Sequence, residues 1–536
     1  MIKRIALASV SGVLFSLAWT SWGLGWSLWF AFIPLFYIED FFDRNKGQYT
    51  SIQMFYYSYL GFFIWNSIST WWVSNSTLGG GIAAVVLNTL FYAILFWFFH
   101  IIKRKMGKHT GYSALLLFWL AFERLYLNGE ISWTWLVLGN GFANNIGLIQ
   151  WYEFTGTLGG SLWVLLINIM LFQWIQHLLK YKTLYGQYIF SLLFAIVWLA
   201  PILLSNYLYH RNEEETESIR VSIIQPNIDP YNEKFGGSSS YEQLKKMIQL
   251  FEDQGNKDAD FIILPETAID DGIFENDFMQ FRTIATIDAW MQKHPKTSII
   301  LGATTRYLYP EGITTPTARI WPVDTSLRYD LFNTALQINN NDSVQVYHKS
   351  KLVIGVEMTP YPAFFKLFED FIINLGGTTG NLGSQAERSV FYNSKNNAIA
   401  APVICYESIY GEFVTEYVQK GANFISIITN DGWWGDTPGY RQHLSFAKLR
   451  AIETRRWIAR SANTGVSAII NDKGEILKST NYWVPDVLNG DLKLNNRITY
   501  FVKNGDFIGR IAQFFSLLLL LSLFIAWIRN RKNPSV

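Results

Sequence analysis

The chain has 536 residues, half of them hydrophobic and 17% aromatic, which is too long for one ordinary domain and too apolar for a typical soluble protein. A net charge of +2, with no long Lys/Arg tract, excludes a nucleic-acid footprint. The single cysteine, Cys405, excludes an intramolecular disulfide and a Cys-based zinc site, and the seven histidines show no HExxH spacing. No Walker A loop, no GxGxxG after a strand and no GxSxG elbow occurs, so neither cofactor nor metal is expected.

Long apolar runs dominate residues 1–210. A bilayer core needs about 20 apolar residues per helix. Seven candidate spans lie at 5–20, 24–42, 51–74, 80–102, 112–127, 158–179 and 187–208, and an eighth at 508–528. The first also fits a signal peptide, although no small-residue cleavage site stands out. With the N-terminus inside, the inner loops hold Arg44 and Lys46, then Lys103, Arg104, Lys105 and Lys108, then Lys180 and Lys182. The tail adds Arg529, Arg531 and Lys532, while the outer loop at 73–80 has no Lys or Arg. The positive-inside rule then puts the stretch after the seventh span on the outer face. In a cell with two membranes that is the periplasm. The Trp- and Gly-rich segment 128–157 reads as a re-entrant element near a lipid entry or as aromatic packing of the bundle.

Residues 219–505 have the composition of a soluble domain. Strands are expected at 219–225, 260–264, 297–302, 334–338, 343–348, 400–405, 423–428 and 466–471. Helices are expected at 240–255, 277–293, 411–420 and 442–461. Strands interleaved with helices predict an α/β or layered αββα domain. The domain plan is a seven-helix bundle (1–210), a catalytic domain (219–505) and a terminal helix with its tail (506–536).

Three expected strand ends carry chemistry: Leu264-Pro265-Glu266-Thr267, Tyr347-His348-Lys349-Ser350 and Val403-Ile404-Cys405-Tyr406-Glu407. A carboxylate just past a buried strand is poorly solvated, so Glu266 is expected to titrate high, in the range of a useful base. A Cys beside a Glu and a Lys fits an activated nucleophile. By spacing alone, a lone Cys at a strand end is also a small buried hydrophobe.

Taken together these residues resemble the nitrilase (carbon–nitrogen hydrolase) superfamily, whose members use a Glu, a Lys and a Cys in that chain order. Thr429-Asn430-Asp431-Gly432-Trp433-Trp434-Gly435 resembles its (S/T)-N-D-x-W-(F/W)-G segment, and QHLSFAKLRAIETRRWIARSANTG its R-A-x-E-x-x-R helix and N-x-G. The family's L-V-P-F-G-E reads here Leu352-Val353-Ile354-Gly355-Val356-Glu357: the loop is altered but the Glu keeps its register. The family's Trp in the arm after the first strand is absent; Tyr231 and Phe235 stand nearby.

The resemblance implies an αββα domain with Glu266 as general base, Lys349 as oxyanion partner and Cys405 as nucleophile. Glu357, Tyr406 and Glu407 would support them. The membrane helices around such a domain resemble the superfamily's membrane-bound N-acyltransferase branch. That likeness implies a multi-pass inner-membrane enzyme with a periplasmic catalytic domain. It would move an acyl chain from a phospholipid, through a Cys405 thioester, to the N-terminal amine of a diacylglyceryl-cysteine lipoprotein. Within this reading, segment 361–373, with Phe364 and Phe365, is a membrane-dipping arm or a core helix. Trp433 and Trp434 line a lipid entrance or pack under the sheet. The rivals are a membrane-anchored amidohydrolase with the same triad, and a receptor with an inactive domain.

Overall fold

The computed structural model describes residues 1–183, 186–211, 216–234, 237–340, 343–361 and 381–532. The chain divides into two compact units. One holds Met1–Trp71, Gly81–Arg211 and Asn504–Val536, the other Trp72–Gly80 and Asn212–Lys503.

The first unit is helical: α1 (Ile2–Leu17), α2 (Ile33–Arg44), α3 (Ile52–Thr70), α4 (Leu78–Met106), α5 (Lys108–Asn128), α6 (Tyr152–Tyr181), α7 (Tyr188–Tyr209) and the C-terminal helix Phe507–Lys532. Four of these are long and apolar enough to cross a bilayer: α4, α6, α7 and the stretch Phe507–Ala526. Helices α1 and α2 have only 16 and 12 residues, and α3 and α5 are rich in polar side chains.

The span expected at 24–42 is not one helix. Gly25–Trp29 forms a 3-10 turn, and α2 begins anew at Ile33 with Pro34 in its first turn. Asn168 of α6 fills the break. Its Nδ2 donates to Leu28 O at 2.7 Å, and its Oδ1 accepts from Phe32 N at 2.9 Å. The 128–157 segment passes from the end of α5 through three 3-10 turns into the start of α6 at Tyr152, and its Trp135, Leu136, Val137, Leu138 and Phe142 are buried. Glu123 of α5 accepts from Leu138 N there at 3.0 Å, so the segment packs inside the helical unit.

Among the described residues the second unit contains two β-sheets. In chain order its strands are β1 (Ser218–Gln225), β2 (Phe261–Ile263), β3 (Ile269–Phe274), β4 (Ser298–Tyr309), β5 (Arg319–Ile320), β6 (Arg328–Asn339), β7 (Gln345–His348), β8 (Phe391–Tyr392), β9 (Ile399–Ile404), β10 (Phe424–Thr429), β11 (Ile458–Ala462), β12 (Ala468–Ile470), β13 (Ile476–Ser479) and β14 (Asp486–Lys493). The first sheet runs β14-β1-β2-β4-β6-β5, with β3 on β4 and β7 on β6; the second runs β13-β12-β11-β10-β9-β8. The sheets meet face to face: Phe261 of β2 packs on Phe424 of β10 at 5.2 Å, and Ser461 Oγ of β11 donates to Ile224 O of β1.

Helices α8 (Ser240–Gln254) and α9 (Arg282–Met291) cover the outside of the first sheet over a core that includes Leu244, Phe251, Ile287 and Ile299. α10 (Gly411–Gln419) and α11 (Pro438–Thr454) pack on the second. This is an αββα sandwich. The six-residue strand β10 is buried along its whole length, as a central parallel strand covered on both faces must be.

The helix expected at 442–461 is shorter. It ends at Thr454, Arg455 takes a left-handed φ of 52°, and Ile458–Ala462 is β11, paired parallel with β10. The stretch RAIETRRWIARSA has charges at helical spacing, yet its arginines are buried. Arg456 Nε donates to Ala422 O at 2.8 Å and its Nη1 to Arg497 O at 2.7 Å. Strand pairing thus overrides local helical propensity.

Candidate active site

The parallel strands β9 and β10 end on the same edge of the second sheet, placing Cys405 beside the Thr429–Asp431 turn. From the first sheet, β2 leads into Glu266 and β7 into Lys349. A glycine lets the β2 end close up. A Cβ on Gly302 of β4 would lie 2.4 Å from Thr267 N and 2.6 Å from Glu266 Cα. Thr267 itself takes a φ of 48°. Lys234, buried in the arm after β1, donates from Nζ to Glu266 O at 3.0 Å. Burial lowers its pKa to about 8 against the pull of Glu266.

Lys349 is 1% exposed and donates to Glu266 Oε1 and Glu357 Oε1 at 3.0 Å each. Asn333 of β6 donates from Nδ2 to the same two oxygens at 2.8 Å. The other oxygen of Glu266, Oε2, accepts from Asn430 N at 3.0 Å. The altered loop preserves Glu357 at this point. Gly355 turns with φ +79°, and Glu357 Oε2 accepts from Val353 N at 2.8 Å, so the carboxylate closes its own loop.

The expected upward shift of Glu266 is not found. Burial raises its pKa, but the Lys349 ammonium and the Asn333 amide outweigh burial and hold the carboxyl below its usual range. Burial likewise disfavours the Lys349 charge, and the two carboxylates overcome it, so this pKa lies well above the usual lysine value. The pair rests as carboxylate and ammonium.

Cys405 sits at a left-handed φ of 49°, at the start of a 3-10 turn. An L-residue other than Asn or Asp rarely adopts that conformation, and such strain clusters at functional sites. Burial and then the Glu266 carboxylate push the thiol pKa well up, against Lys349 and a hydrogen bond from Thr429. Cys405 therefore rests as a thiol.

Glu407 is fully buried and accepts from Ile404 N (2.9 Å), Ser350 N (2.7 Å) and Tyr347 Oη (2.6 Å). It thereby ties the residue before Cys405 to the residue after Lys349. Tyr406 is buried beside Tyr410. Beyond Cys405 lies a buried network. Asp431 is paired with Arg460 at 2.5 Å and His443 Nδ1 at 2.9 Å, and His443 Nε2 reaches Cys405 O at 3.2 Å. Trp434 packs edge-on to Trp72 and His443, and Trp433 to Tyr231, whose hydroxyl donates to Trp433 O. Phe235, Phe364 and Phe365 lie outside the described residues. Sequence reasoning missed Asn333, Lys234, His443 and Arg460. The last two stand in the quoted family segments, whereas Asn333 and Lys234 had no signal.

The carbon–nitrogen hydrolase family matches residues 220–500, just over half of the chain. The chain belongs to the carbon–nitrogen hydrolase family. A second match, the apolipoprotein N-acyltransferase N-terminal domain, covers residues 11–170. Curated relatives align over nearly the whole chain. The apolipoprotein N-acyltransferase of Chlorobaculum tepidum is 27% identical over 95% of this chain and 94% of its own. That of Thermotoga maritima is 24% identical over 100% and 96%. Apolipoprotein N-acyltransferase 2 of Leptospira interrogans is 26% identical over 98% and 96%.

Proposed function

We propose that this member of the carbon–nitrogen hydrolase family is an N-acyltransferase of lipoprotein maturation, carrying an acyl chain from a membrane phospholipid on Cys405 to the N-terminal amine of a diacylglyceryl-cysteine lipoprotein. The observation that carries the reading is the joining of two features in one chain. An assembled Glu266–Lys349–Cys405 site stands in a chain that matches N-acyltransferases from end to end, helical part included.

The geometry supports a double displacement. As sulfur attacks the phospholipid ester, Glu266 takes the thiol proton, since a buried thiol of raised pKa needs a base at hand. The ammonium of Lys349, with Tyr406 N–H, stabilises the tetrahedral oxyanion. Collapse breaks the ester C–O bond, and the lysophospholipid oxygen leaves with the proton from Glu266. The lipoprotein amine then attacks the thioester, Glu266 takes its proton, and the thiol re-forms as the amide is released. Glu357 and Glu407 hold the lysine and the nucleophile in place, and Trp433 and Trp434 face the lipid path. Eight helices (seven within residues 1–210, one within 506–536) would cross the inner membrane, with the catalytic domain (219–505) in the periplasm.

Incubated with phospholipid labelled in its acyl chains, the protein is expected to carry thioester-bound label on Cys405, and Cys405→Ala none. Mass spectrometry of a model lipoprotein N-terminus is then expected to show added acyl mass only with the active protein. No label on the wild type would favour the amidohydrolase, and transfer by Cys405→Ala would sink the assignment.

A further inference from the structure

Asn333 is 6% exposed on β6, a strand from which no site residue was expected. Its Nδ2 and the Nζ of Lys349 converge on the same two atoms, Glu266 Oε1 and Glu357 Oε1. Strand pairing builds this in. β6 and β7 run antiparallel with Thr334 opposite His348, and Lys349 N donates to Asn333 O at 2.8 Å. Charge settles the orientation of the amide, since turning it over would aim Oδ1 at two carboxylates. As it stands, Oδ1 is buried without a hydrogen-bond partner among the described residues. A buried acceptor without a donor is costly and needs a reason. Here the reason is that both amide hydrogens serve the carboxylates.

We propose that Asn333 is a positioning residue of the reaction, clamping Glu266 to Glu357 and saturating Glu266 Oε1, so that Oε2 is the atom that receives the thiol proton. The inference rests on Glu266 acting as the base. The charged groups facing Glu266 are Lys349 from the end of β7, Glu357 from the next loop, Lys234 from the arm after β1 and Cys405 after β9. Asp270 lies beyond Lys234, and Asp431 beyond Cys405. Asn333→Asp leaves all of them in place, removes the donor and adds a third carboxylate. The Glu266 carboxyl then titrates higher, and the base is lost at a higher pH than in the wild type.

The test follows alkylation of Cys405 by iodoacetamide across pH, by mass spectrometry, on the full-length protein in detergent micelles. Thioester formation from phospholipid vesicles is measured in parallel. For N333D the acid limb of both profiles is expected to rise by at least one pH unit, a loss of about tenfold relative to the wild type at a pH below both limbs. Asn333→Ser, too short to bridge both carboxylates, is expected to move it the same way by less, and serves alone if N333D does not fold. Rates that fall by one factor at every pH, or profiles that coincide with the wild type, would overturn the clamp. If the wild type forms no thioester but the alkylation limb still moves in N333D, the clamp stands and the acyl-transfer reading falls.

Discussion

Asp431 is buried between Arg460 and His443. Arg460 and His443 outweigh burial and hold its carboxyl well below the usual aspartate range. A depressed folded-state pKa stabilises the fold fully above the unfolded value of about 4, and that stability is lost as pH falls toward the folded value. Asp431→Asn leaves a buried Arg460 without its counter-charge, so a loss of about 3 kcal/mol is expected at pH 7. The variant's stability should also fall less steeply below about pH 4 than the wild type's, as read from melting temperature across pH. Glu266 teaches a related lesson. Its place after a buried strand suggested a raised pKa, and its partners reversed the sign. Desolvation can be guessed from a flanking sequence, but an ammonium 83 residues away at 3.0 Å cannot.

At the scale of elements, the close approach of β2 and β4 positions Glu266. Gly302→Ala would drive a Cβ into the Glu266–Thr267 backbone. We expect a destabilisation of about 1–3 kcal/mol, as for other overpacked sites. Because small displacements of catalytic groups are amplified in rate, turnover should fall at least about tenfold. The check is a comparison of melting temperature with acyl-thioester rate. Most strands named from sequence stand where expected, because a run such as Phe424–Thr429 is apolar throughout and bounded by polar turns. The misread elements have a common cause. β11 and the turn leading into it carry buried arginines that look helical, and the break before α2 is satisfied by Asn168 from a distant helix. Short strands such as β5 and β8, two residues each, carry no periodic signal at all.

For the whole molecule, the distribution of Lys and Arg predicts which loops face the cytoplasm. The lone cysteine makes the test clean, since Cys405→Ser yields a cysteine-free chain. In that background, Ser479→Cys on exposed β13 should react with a membrane-impermeant maleimide in spheroplasts. Lys105→Cys, at the exposed end of α4, should react only after permeabilisation. Labelling of both, or the reverse pattern, would contradict the proposed orientation.

Residue order alone carried the apolar runs, the charge asymmetry and the Glu–Lys–Cys order with its flanking motifs. These are compositional signals or short local motifs read in chain order. Folding decided the rest. It brought residues 266, 333, 349, 357 and 430 within hydrogen-bond distance, reversed the expected shift of Glu266 and turned an unremarked asparagine into a partner of two carboxylates. The physical reason is that hydrogen bonds and charges act through space. The strand register that sets those distances is fixed by pairing between segments far apart in the chain.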